Sequence, residues 1–408
     1  MCGIVGIIRF DLHPVERGLL QHCTDTLRHR GPDGEGMYID RNIGLGHRRL
    51  AIRDLSSMGH QPMVSEDGNS VLIFNAEIYN LSEERTMLEH QGWTFRSRSD
   101  TEVLLRLYQQ YGIGCLTRLR GMFAFAIYDR QKRKIFLTRD RLGKKPLKYF
   151  SSNGVFAFAS EIKALQCIPE CPREIDREAI HHALTMMYLP SPLTGICGIH
   201  KLPAAHVLTV DVQTGMQTME RYWERHSRAN SIRSLGEWEE EILNILRESI
   251  RDRLAADVPI GAFLSGGIDS AAVVALMSRE SGKSIATFCI GAEGDQHGDL
   301  SWAERVAQVL GTEHHSCVVG SDVLELLPEL VRTYEEPFMD TSTIPTYLLA
   351  EEARKSVTVV LTGDGGDENF AGYIRYPILL FSAWLRKFPR FLRRPVYWGV
   401  RCFLRVPP

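Results

Sequence analysis

The sequence has no run of roughly 18 uncharged apolar residues, so no segment reads as a membrane-spanning helix. The nearest approaches, 378–385 and 396–404, are short or broken by Arg401. No basic region precedes the short apolar stretch that begins at Gly3 and stops at Arg9, so a secretory signal is not expected. Repeats and low-complexity tracts are absent as well. Neither sign of charge is in excess: 48 Lys and Arg face 50 Asp and Glu, a net −2, which argues against a nucleic acid as partner. Nine cysteines, odd in number and scattered, do not make a disulfide framework and point to a reducing, cytoplasmic compartment.

What is present is a globular composition, 44% apolar and 24% charged, over 408 residues. That length suits two domains of about 100–200 residues each. The first half reads as strands: Gly121–Asp129, Lys134–Thr138 and Val155–Ser160 are short, rich in Phe and Ile, and bounded by turn residues. The rhythm then changes. An apolar strand at Val258–Leu264 leads through a glycine loop into a helical run at Ala271–Arg279. Strands at Ser284–Gly291, His315–Val319 and Val357–Thr362 alternate with helices at Leu300–Leu310 and from Asp322. Alternation of this kind predicts a parallel sheet covered on both faces. The changeover lies between Asp211 and Gly236, giving an expected mainly β unit over 1–215 and an α/β unit over 225–408.

Cys2 is the most informative residue. Its side chain is small enough for Met1 to be removed, which would leave a free α-amine beside the thiol. Such an amine titrates near 8, so one terminal residue can serve as nucleophile and base together. The apolar residues Gly3–Ile8 read as a buried strand that anchors this terminus. Other motifs supply what the nucleophile needs. Arg30-Gly31-Pro32-Asp33 is a tight turn carrying a guanidinium, and in His47-Arg48-Arg49-Leu50 an arginine could clamp a carboxylate bidentately. Phe74-Asn75-Ala76-Glu77-Ile78-Tyr79-Asn80 is expected after a strand at Val71–Phe74, offering an amide and backbone N–H groups to an oxyanion. Ser99-Asp100-Thr101-Glu102 opens a helix, Glu102–Tyr111, with carboxylates for a substrate ammonium.

Taken with Gly121–Asp129 and Arg139-Asp140-Arg141-Leu142-Gly143-Lys144-Lys145, these motifs resemble the glutaminase domain of class II glutamine amidotransferases, in the version found in asparagine synthetases. The resemblance implies an N-terminal-nucleophile αββα sandwich that hydrolyses glutamine through a Cys2 thioester. It assigns glutamine binding to Arg49, Asn75, Glu77 and Asp100, and the oxyanion hole to Asn75 and the N–H of Ala76. The family usually carries glycine where Ala76 stands, and a positive φ there would now be costly.

The second unit carries Ser265-Gly266-Gly267-Ile268-Asp269-Ser270 between a strand and a helix, where backbone N–H groups and the helix dipole make an anion site. It is not a Walker A loop, because Met277 stands where the glycine before Gly282-Lys283-Ser284 would have to be. The loop resembles that of enzymes splitting ATP into AMP and pyrophosphate. ATP is thus assigned to Leu264, Ser265, Gly266, Gly267, Asp269, Ser270, Ile290, Thr362 and Gly363, Mg²⁺ to Asp269 and Asp367, and the synthetase step to Asp364. The stretch Tyr334–Pro345 matches the family near the acceptor carboxylate. Ammonia made at Cys2 would attack an acyl-adenylate of aspartate, reaching it by a largely apolar tunnel. Larger acceptors, such as uronic sugars or small peptides, are the alternative, and a non-synthesising regulatory protein a third reading. The resemblance further implies a missing C-terminal helical region and allows a homodimer. Residues 373–408 hold eight basic and no acidic residues among Trp384, Phe388, Phe391, Tyr397, Trp398 and Phe403. They read first as helices packing on a further region, and second as a surface for an anionic membrane.

Overall fold

The computed structural model describes residues 1–226, 233–292, 298–389 and 393. The first unit holds strands β1 (Gly3–Arg9), β2 (Gly34–Asp40), β3 (Ile43–Arg49), β4 (Met63–Val64), β5 (Ser70–Ile78), β6 (Gly121–Asp129), β7 (Lys134–Arg139), β8 (Lys148–Ser152), β9 (Val155–Ala159), β10 (Ile199–Lys201), β11 (His206–Asp211) and β12 (Gln217–Arg221). Its helices are α1 (Arg17–Asp25), α2 (Leu81–His90), α3 (Asp100–Tyr111), α4 (Ile162–Gln166) and α5 (Arg177–Met186). Two antiparallel sheets result, ordered β10-β8-β9-β1-β3-β2 and β12-β11-β7-β6-β5-β4.

Alternation along each strand sorts the layers. Ile4 and Ile8 of β1 join Val71 and Ile73 of β5 in the core between the sheets. Val5 and Ile7 face outward, onto Leu20 of α1 and Ile162 of α4. Leu72 and Phe74 pack in the same way on α2 and α3. The order is helices, sheet, sheet, helices: the expected αββα sandwich. β5 runs further than the sequence suggested. It pairs with β6 from Ser70↔Asp129 to Ile78↔Gly121, so Asn75, Ala76 and Glu77 belong to the strand and not to a loop after it.

The second unit begins with α6 (Leu235–Leu254), whose N-cap Ser234 forms a capping box with Glu237. There follow β13 (Ile260–Phe263), α7 (Ile268–Ser281), β14 (Ala286–Ala292), α8 (Asp299–Leu310), β15 (Glu313–Val319), α9 (Leu327–Tyr334), α10 (Thr343–Arg354), β16 (Val359–Leu361), α11 (Gly366–Phe370) and α12 (Arg375–Leu385). The four strands are parallel in the order β15-β14-β13-β16, as alternation of strand and helix required. One face packs on α6, α7 and α8, the other on α10. The helix expected from Asp322 is instead a 3-10 segment, Ser321–Leu326, followed by α9, because Pro328 fits only a first helical turn. Among the described residues no helix is long and apolar enough to cross a membrane. Of the basic aromatic tail, α12 exposes Leu379, Leu380, Phe381 and Trp384, whereas Phe391, Tyr397, Trp398 and Phe403 lie outside the described residues.

Candidate active sites

Cys2 immediately precedes β1, and its Sγ accepts the Leu50 N–H at 3.4 Å. The Arg30 Nε donates to the Cys2 carbonyl at 2.9 Å. The turn that carries Arg30 is pressed onto the end of β3: a Cβ on Gly31 would lie 2.3 Å from the Arg48 carbonyl carbon, so only glycine fits. Asp33 completes the brace by accepting the Ala51 N–H at 2.9 Å. Burial pushes the Cys2 thiol above its ordinary range. Burial also lowers the α-amine of Met1 to about 5, with Arg30 and Lys145 adding to the effect.

Asn75, on β5, is buried, and its Nδ2 has no hydrogen-bond partner among the described residues. An unmade bond at a buried amide costs about 1–3 kcal/mol, so the group is poised for an oxygen that arrives with a ligand. Ala76 is paired to Phe123 in the ladder and does not have a positive φ, which removes the strain expected of a non-glycine residue there. Asp100 is the first residue of α3, so the helix starts two residues before the expected Glu102, with Ser99 as its N-cap. Burial, then the charge of Glu77, pushes the Asp100 carboxyl up to about 7, against the opposing pull of Arg53. Glu77 is raised as well, by burial first, while Arg53 and Lys145 pull it down. Two carboxyls share a site too dry for both charges; an ammonium between them would relieve it.

Arg49 is buried, and its guanidinium is taken by the carbonyls of Ser56, Arg53 and Asp54, so it shapes the loop beside the site. Glu102 likewise faces the backbone, accepting the N–H groups of Arg96 and Ser97. Arg53, Lys145 and Glu161 belong to the same cluster and were not singled out from sequence. The available signal was Asp140: it accepts the N–H groups of Leu142, Lys144 and Lys145, a turn that sets the buried Lys145 within electrostatic reach of Cys2 and Glu77.

In the second unit the chain leaves β13 to build β14 and β15 on one side, then returns with β16 on the other. The crevice at the strand ends between β13 and β16 is therefore the topological switch point, where open α/β sheets bind ligands. Both glycine motifs converge there. A Cβ on Gly363 would lie 2.7 Å from the Ser270 nitrogen, and one on Gly366 would lie 2.3 Å from the Asp269 carboxylate. Ser270 Oγ accepts the Ser265 N–H at 3.2 Å, and the Gly266 N–H donates to Asp299 Oδ1 at 3.2 Å, so the loop already holds an anionic oxygen. Leu264 is buried and bonds through its N–H to the Phe288 carbonyl at 2.9 Å, while Ile290 lies further along β14. Thr362 Oγ1 donates to the exposed Asp364 at 2.9 Å; Asp367 begins the turn of α11. Among the described residues no three carboxylates, histidines or cysteines gather around one point. The set fits a nucleotide triphosphate, for which backbone donors at a helix start and one or two carboxylates for its Mg²⁺ are the usual equipment.

The glutamine amidotransferase domain profile matches residues 1–223, and the asparagine synthase profile matches 241–401. A relative in Methanocaldococcus jannaschii is 38% identical, covering 96% of this chain and 79% of that protein. Asparagine synthetase [glutamine-hydrolyzing] 1 of Bacillus subtilis is 36% identical, covering 92% of this chain and 59% of that one. Among solved structures, a Bacillus subtilis glutamine phosphoribosylpyrophosphate amidotransferase has a TM-score of 0.45 at 14% identity, covering 83% of this chain and 94% of that one. With both domain profiles matched in order and relatives alike over nearly its whole length, the chain belongs to the glutamine-hydrolysing asparagine synthetase family.

Proposed function

We propose that the chain hydrolyses glutamine at Cys2 and delivers the ammonia to an ATP-activated carboxylate, that of aspartate. The observation that carries the first half is the Cys2 thiol standing within electrostatic reach of the buried Glu77–Asp100 pair. Once Met1 is removed, the amine of Cys2 takes the thiol proton as sulfur attacks the glutamine amide. Asn75 Nδ2 then donates to the oxyanion, and Asp100 with Glu77 holds the substrate ammonium. Lys145 offsets charge near the thiolate.

For the second half, support comes from the two glycine loops meeting at the switch point. There the 265–270 loop would bind the phosphates, and Asp269 with Asp367 would hold Mg²⁺, which neutralises phosphate charge when bound. Leu264, Ile290, Thr362 and Gly363 would border the nucleotide, and Asp364 stands at the open side for the acceptor step. The eight described cysteines are all free, which supports a reducing, cytoplasmic setting. The test is a reaction with glutamine, Mg²⁺-ATP and aspartate: glutamate, asparagine, AMP and pyrophosphate are expected together. Cys2→Ala should end glutamine use and keep synthesis from ammonium chloride. Glutamine hydrolysis by Cys2→Ala at the parent rate would overturn the assignment.

A further inference from the structure

Two adjacent glutamates after α9, Glu335 and Glu336, leave the second unit and enter the first. Lys148 and Lys201 receive them there, directly opposed on β8 and β10. Lys148 Nζ is 3.3 Å from Glu335 and Lys201 Nζ 3.1 Å from Glu336. Glu335 does more than pair. Its Oε2 accepts the Ile162 N–H and its Oε1 the Lys163 N–H, both at 2.8 Å. These are first-turn groups of α4, which have no partner inside their own helix. A carboxylate from the other unit, distant in sequence, therefore finishes the end of this short helix.

The residue just before that turn is Glu161, which is buried, bonded to Arg30 Nη1 at 2.6 Å and to His29 Nε2 at 3.1 Å, and ion-paired with Lys163 at 2.9 Å. Burial alone would raise its carboxyl; His29, Arg30 and Lys163 hold it well below the usual range. Arg30 in turn donates to the carbonyl of Cys2 at 2.9 Å. Ser160, the next residue back, exchanges hydrogen bonds with Ile4, at 2.9 Å through its N–H and 3.0 Å through its Oγ. From Glu335 to the nucleophile's own backbone the contacts run without a gap. The geometry at Glu335 is also unusual: as the residue that ends α9 it has a φ of 62°. A left-handed non-glycine residue costs roughly 1–2 kcal/mol and persists only where its surroundings over-determine it.

We propose that Glu335 is a positioning residue for Cys2: by finishing α4 it fixes Glu161, Glu161 fixes Arg30, and Arg30 fixes the carbonyl of the nucleophile. Glutamine hydrolysis is thereby tied to the docking of the 334–345 segment, which the family resemblance places near the acceptor carboxylate. It rests on reading Cys2 as the glutaminase nucleophile.

The experiment compares Glu335→Ala, Glu335→Gln, Glu336→Ala and Glu161→Gln in the full chain, reading glutamine kcat and KM and the rate at which iodoacetamide alkylates Cys2, followed by peptide mass. Glu335→Ala should lower kcat about tenfold, less than the roughly hundredfold cost of misplacing a reacting group by about 1 Å, with KM nearly unchanged because Glu77 and Asp100 are untouched. Cys2 alkylation should change in step. Glu335→Gln, which keeps an acceptor, should fall between, and Glu336→Ala, which opens only the Lys201 pair, should keep the parent kcat. Adding Glu161→Gln to Glu335→Ala should cost little more than either alone, since both sit on one route. A Glu335→Ala enzyme with the parent kcat and alkylation rate, fully additive effects, or an equal loss in Glu336→Ala would overturn the proposal. If the parent chain releases no glutamate at all, the glutaminase reading falls, and the alkylation rates still decide whether Glu335 governs Cys2.

Discussion

At the scale of single residues, the site is a set of groups whose ordinary chemistry has been shifted by burial. Cys2 holds its proton, the terminal amine gives its own up, and Asp100 titrates near neutrality. The Asp100 shift makes two predictions with definite sign. On the role proposed for Asp100, the ionised carboxylate holds the glutamine ammonium, so kcat/KM for glutamine should rise with pH through about 7, and Asp100→Asn should remove that limb at a much lower rate. For stability, a carboxyl raised from 3.8 to about 7 binds its proton more tightly in the folded chain. The stability this proton confers is full below about 4 and is lost as pH rises toward 7. Asp100→Asn should therefore melt higher than the parent at pH 8, and the gap should close on acidification. A gap that widened toward acid would contradict the shift. The sequence made Cys2, Asn75, Glu77 and Asp100 readable because each stands in a short local motif. Arg53 and Glu161 were not, because their part in the site comes only from what distant chain segments place beside them; Lys145 stands in the 139–145 motif, but its approach to Cys2 and Glu77 is set by the fold.

The same distinction governs the elements. β6 was legible to the residue, since Gly121–Asp129 is short, rich in Phe and Ile, and bounded by turn residues. β5 was cut short in the sequence reading because Asn75 and Glu77 look like loop residues; pairing with β6 carries them into the strand regardless. The glycine loops were legible as motifs, whereas their mutual contact was not, because it depends on β16 lying beside β13. That contact is testable. Gly366→Ala places a methyl 2.3 Å from the Asp269 carboxylate, so Asp269 or the loop must move. ATP–pyrophosphate exchange should fall about tenfold or more, as a misplaced catalytic group demands. Glutamine hydrolysis in the other unit should stay within about twofold, since well-separated sites act independently. Gly267→Ala is the contrasting case, meeting only Ser265 Oγ, at 3.2 Å.

For the molecule as a whole, the question is what keeps two units with separate cores working as one. Their contacts are mostly polar and fall in two groups. One lies beside the loop that Arg49 holds: Asp54 N–H to Asp257 at 2.8 Å, Arg53 to the Asp252 carbonyl at 3.3 Å, and Arg120 to Glu248 and Asp252 at 2.5 and 3.1 Å. The other is the Lys148–Glu335 and Lys201–Glu336 clamp. Burial separates them energetically. The side chains of Arg120 and Glu248 are 42% and 60% exposed, those of Lys148 and Glu335 only 10% and 6%. Exposed pairs contribute about 0–1 kcal/mol and fade with salt, whereas removing one partner of a buried pair costs roughly 3–5 kcal/mol, because the other charge is left dry and uncompensated. Arg120→Ala should therefore barely move the melting temperature, and what it does move should vanish at high salt. Lys148→Ala should lower the melting temperature by several degrees, with little dependence on salt. Lys148→Ala combined with Glu335→Gln should recover part of the loss, because the stranded charge is gone. Thermal melts of the four chains at low and high sodium chloride decide the matter: an Arg120→Ala penalty equal to that of Lys148→Ala would mean that the clamp is not what holds the units together.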